Sequence, residues 1–140
     1  MPQWVVSTTE WSRYALWRLD ASSFMVIAPG PALSYLHGND YYLLDKKFEP
    51  ALKQLRGEVN THPVSIWDKA KQETLTSYME LTIEHHFELG TYQQQLLEGL
   101  DIWLYAGILM ISDNLKTMWE NVPDDGLKFD SNPPIFAGRE

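Results

Sequence analysis

The sequence predicts an α+β fold, with a small N-terminal antiparallel sheet packed against a C-terminal helical hairpin of two long helices. Three observations predict it. Short aromatic and aliphatic runs broken by turn residues fill residues 13–44, the pattern of hairpins. Beyond Asp45 the apolar spacing lengthens towards the helical period. Gly90 then stands between two segments that begin with capping signals.

Taken in order, Arg13 to Leu19 reads as a strand that ends at the turn cluster Asp20-Ala21-Ser22-Ser23. Phe24 to Ile27 reads as its partner and stops at Pro29-Gly30-Pro31. Leu33 to Leu36 and Tyr41 to Leu44 flank His37-Gly38-Asn39-Asp40 and read as a second hairpin. A rival for the start is a helix capped by Thr8 or Thr9 and running through Trp11, Ala15 and Arg18. Phe48, Leu52 and Leu55 repeat at helical spacing, with Gly57 as the stop. Asn60 to Pro63 reads as a loop. Ser65 with Asp68 opens the first long helix, 65–89; Thr91 with Gln94 opens the second, 92–121. Pro123-Asp124-Asp125-Gly126 reads as a turn. The domain expectation is one unit, 1–126, followed by an extended tail, 127–140, with Asn132-Pro133-Pro134 in it.

Composition narrows the function classes. The chain has 140 residues, enough for one domain with a real core. It has no cysteine, so disulfides, thiolate metal sites and a cysteine nucleophile are excluded. Its net charge is −8. All of that charge falls in residues 61–140, and no lysine or arginine occurs between Lys71 and Lys116. Clustered basic residues for phosphate or anionic lipid are missing, which argues against direct nucleic-acid and membrane-surface binding. The start, Met1 to Val6, lacks the pattern of a signal peptide. The longest apolar run, Ile102 to Ile111, is too short to span a bilayer. A soluble cytoplasmic protein is expected.

On a helical wheel, Trp67, Leu75, Tyr78, Met79, Thr82, His86 and Leu89 share one side of the first long helix. Glu73, Glu80, Glu84 and Glu88 share the other as an acidic stripe. Like charges at i,i+4 cost a few tenths of a kcal/mol each, so the stripe is a candidate docking surface for a basic partner, with Asp124 and Asp125 adding to the field. In the second helix Ile102 to Ile111 is apolar all round, which predicts a central buried helix. Gly99 and Gly107 would admit close approach of another element, as monomer packing or a homodimer.

Chemical motifs are sparse. Adjacent His85 and His86 diverge on a helix, and no Glu-x-x-His pair is repeated, so neither a metal nor another cofactor is expected. Asp101, ahead of the apolar run, is a candidate acid or base, with His86 its nearest candidate partner. No Gly-x-Ser-x-Gly elbow or phosphate loop occurs. The leading expectation is a non-enzymatic protein-binding module whose partner has a basic surface. Its profile is that of small acidic inhibitors such as immunity or anti-defence proteins, an analogy of composition alone. The second expectation is a small-ligand site or enzyme pocket between sheet and helices, lined by Trp17, Tyr42, His86, Asp101 and Trp103. The third is a structural subunit that uses its tail as an arm.

Overall fold

The computed structural model describes residues 3–8, 15–28, 33–38, 40–55, 59–88, 100–123 and 126–130. The first strands are β1 (Gln3–Thr8), β2 (Ala15–Asp20), β3 (Ser23–Ala28), β4 (Tyr35–His37) and β5 (Tyr42–Asp45). A 3-10 turn (Lys46–Phe48) and helix α1 (Glu49–Leu52) follow. Then come β6 (Val59–Pro63), β7 (Ser65–Asp68), β8 (Glu73–Leu75), β9 (Tyr78–Ile83) and β10 (His86–Phe87). The chain continues through β11 (Ile102–Tyr105), β12 (Ile108–Ser112), helix α2 (Asp113–Glu120) and β13 (Leu127–Asp130).

The strands form three sheets stacked as layers. Sheet I has the order β10-β11-β12-β1-β13, sheet II β4-β5-β9-β6, and sheet III β2-β3-β7-β8. Sheet II is the middle layer, and consecutive residues on its strands serve different cores. Leu44 and Met79 face sheet I in a cluster with Val6, Ile102, Leu104, Ile111, Leu115 and Trp119. Leu43 and Tyr78 face sheet III in a cluster with Leu16, Phe24 and Ile66. The register agrees, with Leu43 opposite Glu80 and Leu44 opposite Met79. A strand buried on both faces loses the alternation of a half-exposed one.

That burial overturns the helical hairpin. Residues 65–88 form β7 to β10, and residues 102–112 form the β11–β12 hairpin. Among the described residues of 65–121 the helix present is α2, of eight residues. Leu75, Tyr78, Met79 and Thr82 match a helical stripe by spacing alone: Leu75 ends β8, and in β9 Met79, Leu81 and Ile83 face the sheet I core while Tyr78 faces sheet III and Thr82 is exposed. Ile102 to Tyr105 are all buried, between the sheet I–II core and a further cluster of Val5, Trp103, Tyr105 and Met110. Ala106 and Gly107, both with positive φ (49° and 80°), make the two-residue turn between β11 and β12. Gly107 therefore serves chain reversal, not the close approach of a second helix.

Asn60 to Pro63 lie in β6, paired with β9, and are not a loop. The two N-terminal hairpins do not make one small sheet, because β2–β3 belongs to sheet III and β4–β5 to sheet II. Leu127 to Asp130, expected in the tail, form β13 on β1. Thr9 to Trp11, Gly90, the Thr91–Gln94 cap, Gly99 and residues 131–140 lie outside the described residues. No helix among the described residues is long and apolar enough to cross a membrane.

Candidate functional site

The expected acidic stripe is dispersed by the fold. Glu73 is exposed on the edge strand β8, Glu84 follows β9, and Glu88 follows β10. Glu80 is internal, 7% exposed on the middle sheet. Asp124 and Asp125 lie outside the described residues.

Glu80 serves the layering. Arg18, on the inner face of sheet III, reaches it with both terminal nitrogens; Nη1 donates to Oε1 at 3.1 Å and Nη2 donates to Oε2. The fork-to-fork geometry is the strong form of an ion pair. Hydrogen bonding to Glu80 raises the Arg18 pKa above its already high value. The guanidinium also lies 4.7 Å from the ring centroid of Phe24, its cross-strand neighbour. His62 sits opposite Glu80 in sheet II, with Nε2 3.2 Å from Oε1 and 3.0 Å from the Ala21 carbonyl. Both neighbours accept, so Nε2 carries the hydrogen. Asp40 adds an outer contact to Arg18 Nε at 3.3 Å. This cluster ties sheet III to sheet II.

The residues expected to line one pocket separate into four places. Trp17 is 61% exposed on the outer face of sheet III. Trp103 is fully buried, and its Nε1 has no hydrogen-bond partner among the described residues. Asp101 accepts from Ser112 Oγ at 2.5 Å and from Asn114 at 3.4 Å, and takes no part in a pair with His86. Ser112 in turn caps α2 by accepting from Leu115 N, so Asp101 orients the cap. Tyr42 and His86 do meet. They line a half-open cavity of about 540 Å3 together with Asp40, Phe87, Glu88, Leu104, Ala106 and Gly107.

That cavity forms where the β4–β5 turn of sheet II meets β10 and the β11–β12 turn of sheet I. Parallel pairing sets His86 beside Leu104 and Phe87 beside Tyr105, so His86 and Phe87 point to opposite faces of the strand. Tyr42 Oη donates to the Gly107 carbonyl at 2.7 Å and joins the two sheets at the wall. Partial burial raises the Tyr42 pKa, which keeps that hydroxyl a donor. His86 Nε2 is held at 2.5 Å from the Ile83 carbonyl. Among the described residues the lining holds two carboxylates, two aromatic rings and an imidazole, and no lysine or arginine. A second depression of about 480 Å3, lined by Trp4, Lys116, Trp119 and Phe129 among others, has its lysine engaged already. Lys116 lies over the Trp4 ring at 4.2 Å and pairs with Glu120 at 3.0 Å.

Sequence reasoning missed Asp40, Phe87, Ala106 and Gly107 as site residues. Ala106-Gly107 between two apolar runs is a hairpin signal that would have placed that wall. It also missed the exposed set Leu19, Ile27 and Trp67 around Trp17, although Trp17-Arg18-Leu19-Asp20 alternates with period two. Comparison of the chain with family models, curated proteins and solved structures finds no match.

Proposed function

We propose that this chain is an acidic, non-enzymatic binding module for a protein with a basic surface, and that a cationic side chain of that partner enters the Tyr42–His86 cavity. The observation that carries the proposal is the lining: the Glu88 carboxylate and that of Asp40, which is 65% exposed and also touches Arg18 Nε at 3.3 Å, stand beside the Tyr42 and Phe87 rings, with no lysine or arginine among the described lining residues. A guanidinium or ammonium group gains from both partners there. Carboxylates accept its N–H groups in charge-assisted hydrogen bonds, and an aromatic face adds about 0.5–2 kcal/mol. The net charge of −8 steers such a partner during approach. By covering a basic surface the module inhibits whatever that surface does.

The test is titration of isotopically labelled protein with short arginine- and lysine-containing peptides. Saturable NMR shifts are expected at Tyr42, His86, Phe87, Ala106 and Gly107. They should weaken as salt rises, since screening shortens the Debye length from ~10 Å at 0.1 M to ~3 Å at 1 M. Glu88→Lys combined with Asp40→Asn should abolish them. Shifts spread equally over Glu73 and Asp130, or none at all, would remove the cavity from the proposal. Saturation by a small organic cation but by no peptide would move it to a small-ligand site.

A further inference from the structure

Sheet III is the only layer among the described residues that turns a row of large apolar side chains to solvent. The ladder Trp17–Met25–Trp67–Thr74 crosses all four of its strands. Leu19 and Ile27 extend the exposed apolar set at the two places where the β2–β3 register shifts, each left without a cross-strand partner there. Trp17, Leu19, Ile27 and Trp67 are 61%, 54%, 56% and 38% exposed. The opposite face, with Leu16, Phe24 and Ile66, is packed on sheet II.

We infer that this face is a homodimer interface, covered by the same face of a second copy. Two arguments select that occupant. The first is charge. Trp17, Leu19, Met25, Ile27, Trp67 and Thr74 carry none, although the chain as a whole is at −8. A basic partner needs an acidic face, and this one offers it nothing. An isologous two-fold interface needs a surface complementary to itself, which an uncharged apolar face is. The centres of stable interfaces are enriched in tryptophan and methionine and depleted of charge.

The second argument is area. With ~250 Å2 for a whole tryptophan and somewhat less for Leu or Ile, the four side chains expose roughly 400 Å2. That is already the size of the largest, often functional, patch on a typical monomer. Two such faces bring together roughly 800 Å2 before Met25, Thr74 and the rim are added, and a stable interface buries about 1,200–2,000 Å2 in total. Sheets pack face to face about 10 Å apart, and the inner face of sheet III already packs on sheet II within the chain. A two-fold axis along β3 sets Met25 against its own copy and Trp17 of one copy against Trp67 of the other. None of these residues lines the Tyr42–His86 cavity, so dimerisation and partner binding stand or fall separately.

The experiment is sedimentation equilibrium of the full chain over a wide concentration range at low and high salt. A monomer–dimer equilibrium is expected, tightening as salt screens the repulsion between two copies at −8 each, with a blue shift of tryptophan emission as the dimer forms. Trp17→Ser with Ile27→Ser should weaken dimerisation at least tenfold, while Lys53→Ser, at the C-cap of α1, leaves it unchanged. Both face substitutions are at exposed positions and should leave the circular dichroism spectrum as it is. If that spectrum changes, the salt dependence and emission shift of the unaltered chain decide. A monomer at every concentration and salt, self-association that weakens as salt rises, or a dimer that survives the double substitution would overturn the inference. So would a face that binds lipid vesicles or an unrelated protein while the chain stays monomeric.

Discussion

Arg18 and Glu80 are 62 residues apart in sequence and share a bidentate contact between two sheets. Glu80 is 9% exposed at its side chain and Arg18 27%, whereas Asp40, the outer partner, is 65% exposed. The two carboxylates therefore contribute unequally. Glu80→Ala leaves a half-buried guanidinium without its main partner and should destabilise by about 2–4 kcal/mol, near the cost of breaking a buried pair. Asp40→Ala should cost about 0–1 kcal/mol, as exposed pairs do. Urea denaturation of both variants measures this, and equal losses would show that the pair does not tie the layers. Nothing local in the sequence distinguishes Glu80 from Glu84. Both read as members of a charged stripe, because the burial of Glu80 depends on a partner placed by the topology.

At the scale of elements, the β11–β12 hairpin and α2 form one unit. Ser112 ends the hairpin, caps α2 through Leu115 N and receives its own orientation from Asp101. Ser112→Ala should cost about 1–2 kcal/mol, the usual loss of a capping side chain. Asp101→Ala should cost less, since the cap bond itself survives. If Asp101→Ala instead matched Ser112→Ala, the carboxylate would be the real cap support. The turn carries a second expectation. Ala106 holds a left-handed φ of 49°, a conformation that asparagine tolerates and alanine resists. Ala106→Asn should raise stability by about 0.5–1 kcal/mol, and Ala106→Val should lower it, both visible in the melting temperature. A melting temperature that falls for Ala106→Asn would mean that the Ala106 side chain matters to the cavity wall more than the turn conformation does. Strands β2 to β5 were legible because Asp, Asn, Gly, Ser and Pro punctuate them. The elements beyond residue 60 were not. The run Ile102–Ile111 is apolar on both faces, and periodicity alone does not separate a strand of that kind from a buried helix, whereas Met79-Glu80-Leu81-Thr82-Ile83 alternates with period two, a strand signal the helical wheel obscured.

At the scale of the molecule, the middle sheet supplies residues to both cores, and Leu43 and Leu44 show the division most sharply. They are neighbours in sequence, both fully buried. Leu43 packs with Leu16, Phe24 and Ile66 towards sheet III, and Leu44 with Leu104, Ile111 and Trp119 towards sheet I. No signal in a single sequence reports that adjacent leucines belong to different cores, which is why two layers were expected where there are three. The division also sets how the layers unfold. Sheet III has its outer face open to solvent and its inner face on sheet II, so it has no core apart from the one it shares. Losing sheet II exposes both clusters at once, and the three layers should melt together. Leu43→Ala and Leu44→Ala should each cost about 2–5 kcal/mol, as buried leucine truncations do. Both should shift one transition, seen alike by tryptophan fluorescence and far-ultraviolet circular dichroism. Two separate transitions, with Leu43→Ala moving only the first, would show that sheet III detaches while the sheet I–II core persists. The Arg18–Glu80 pair would then hold a layer that opens by itself, and the exposed tryptophan face would ride on the least stable part of the protein.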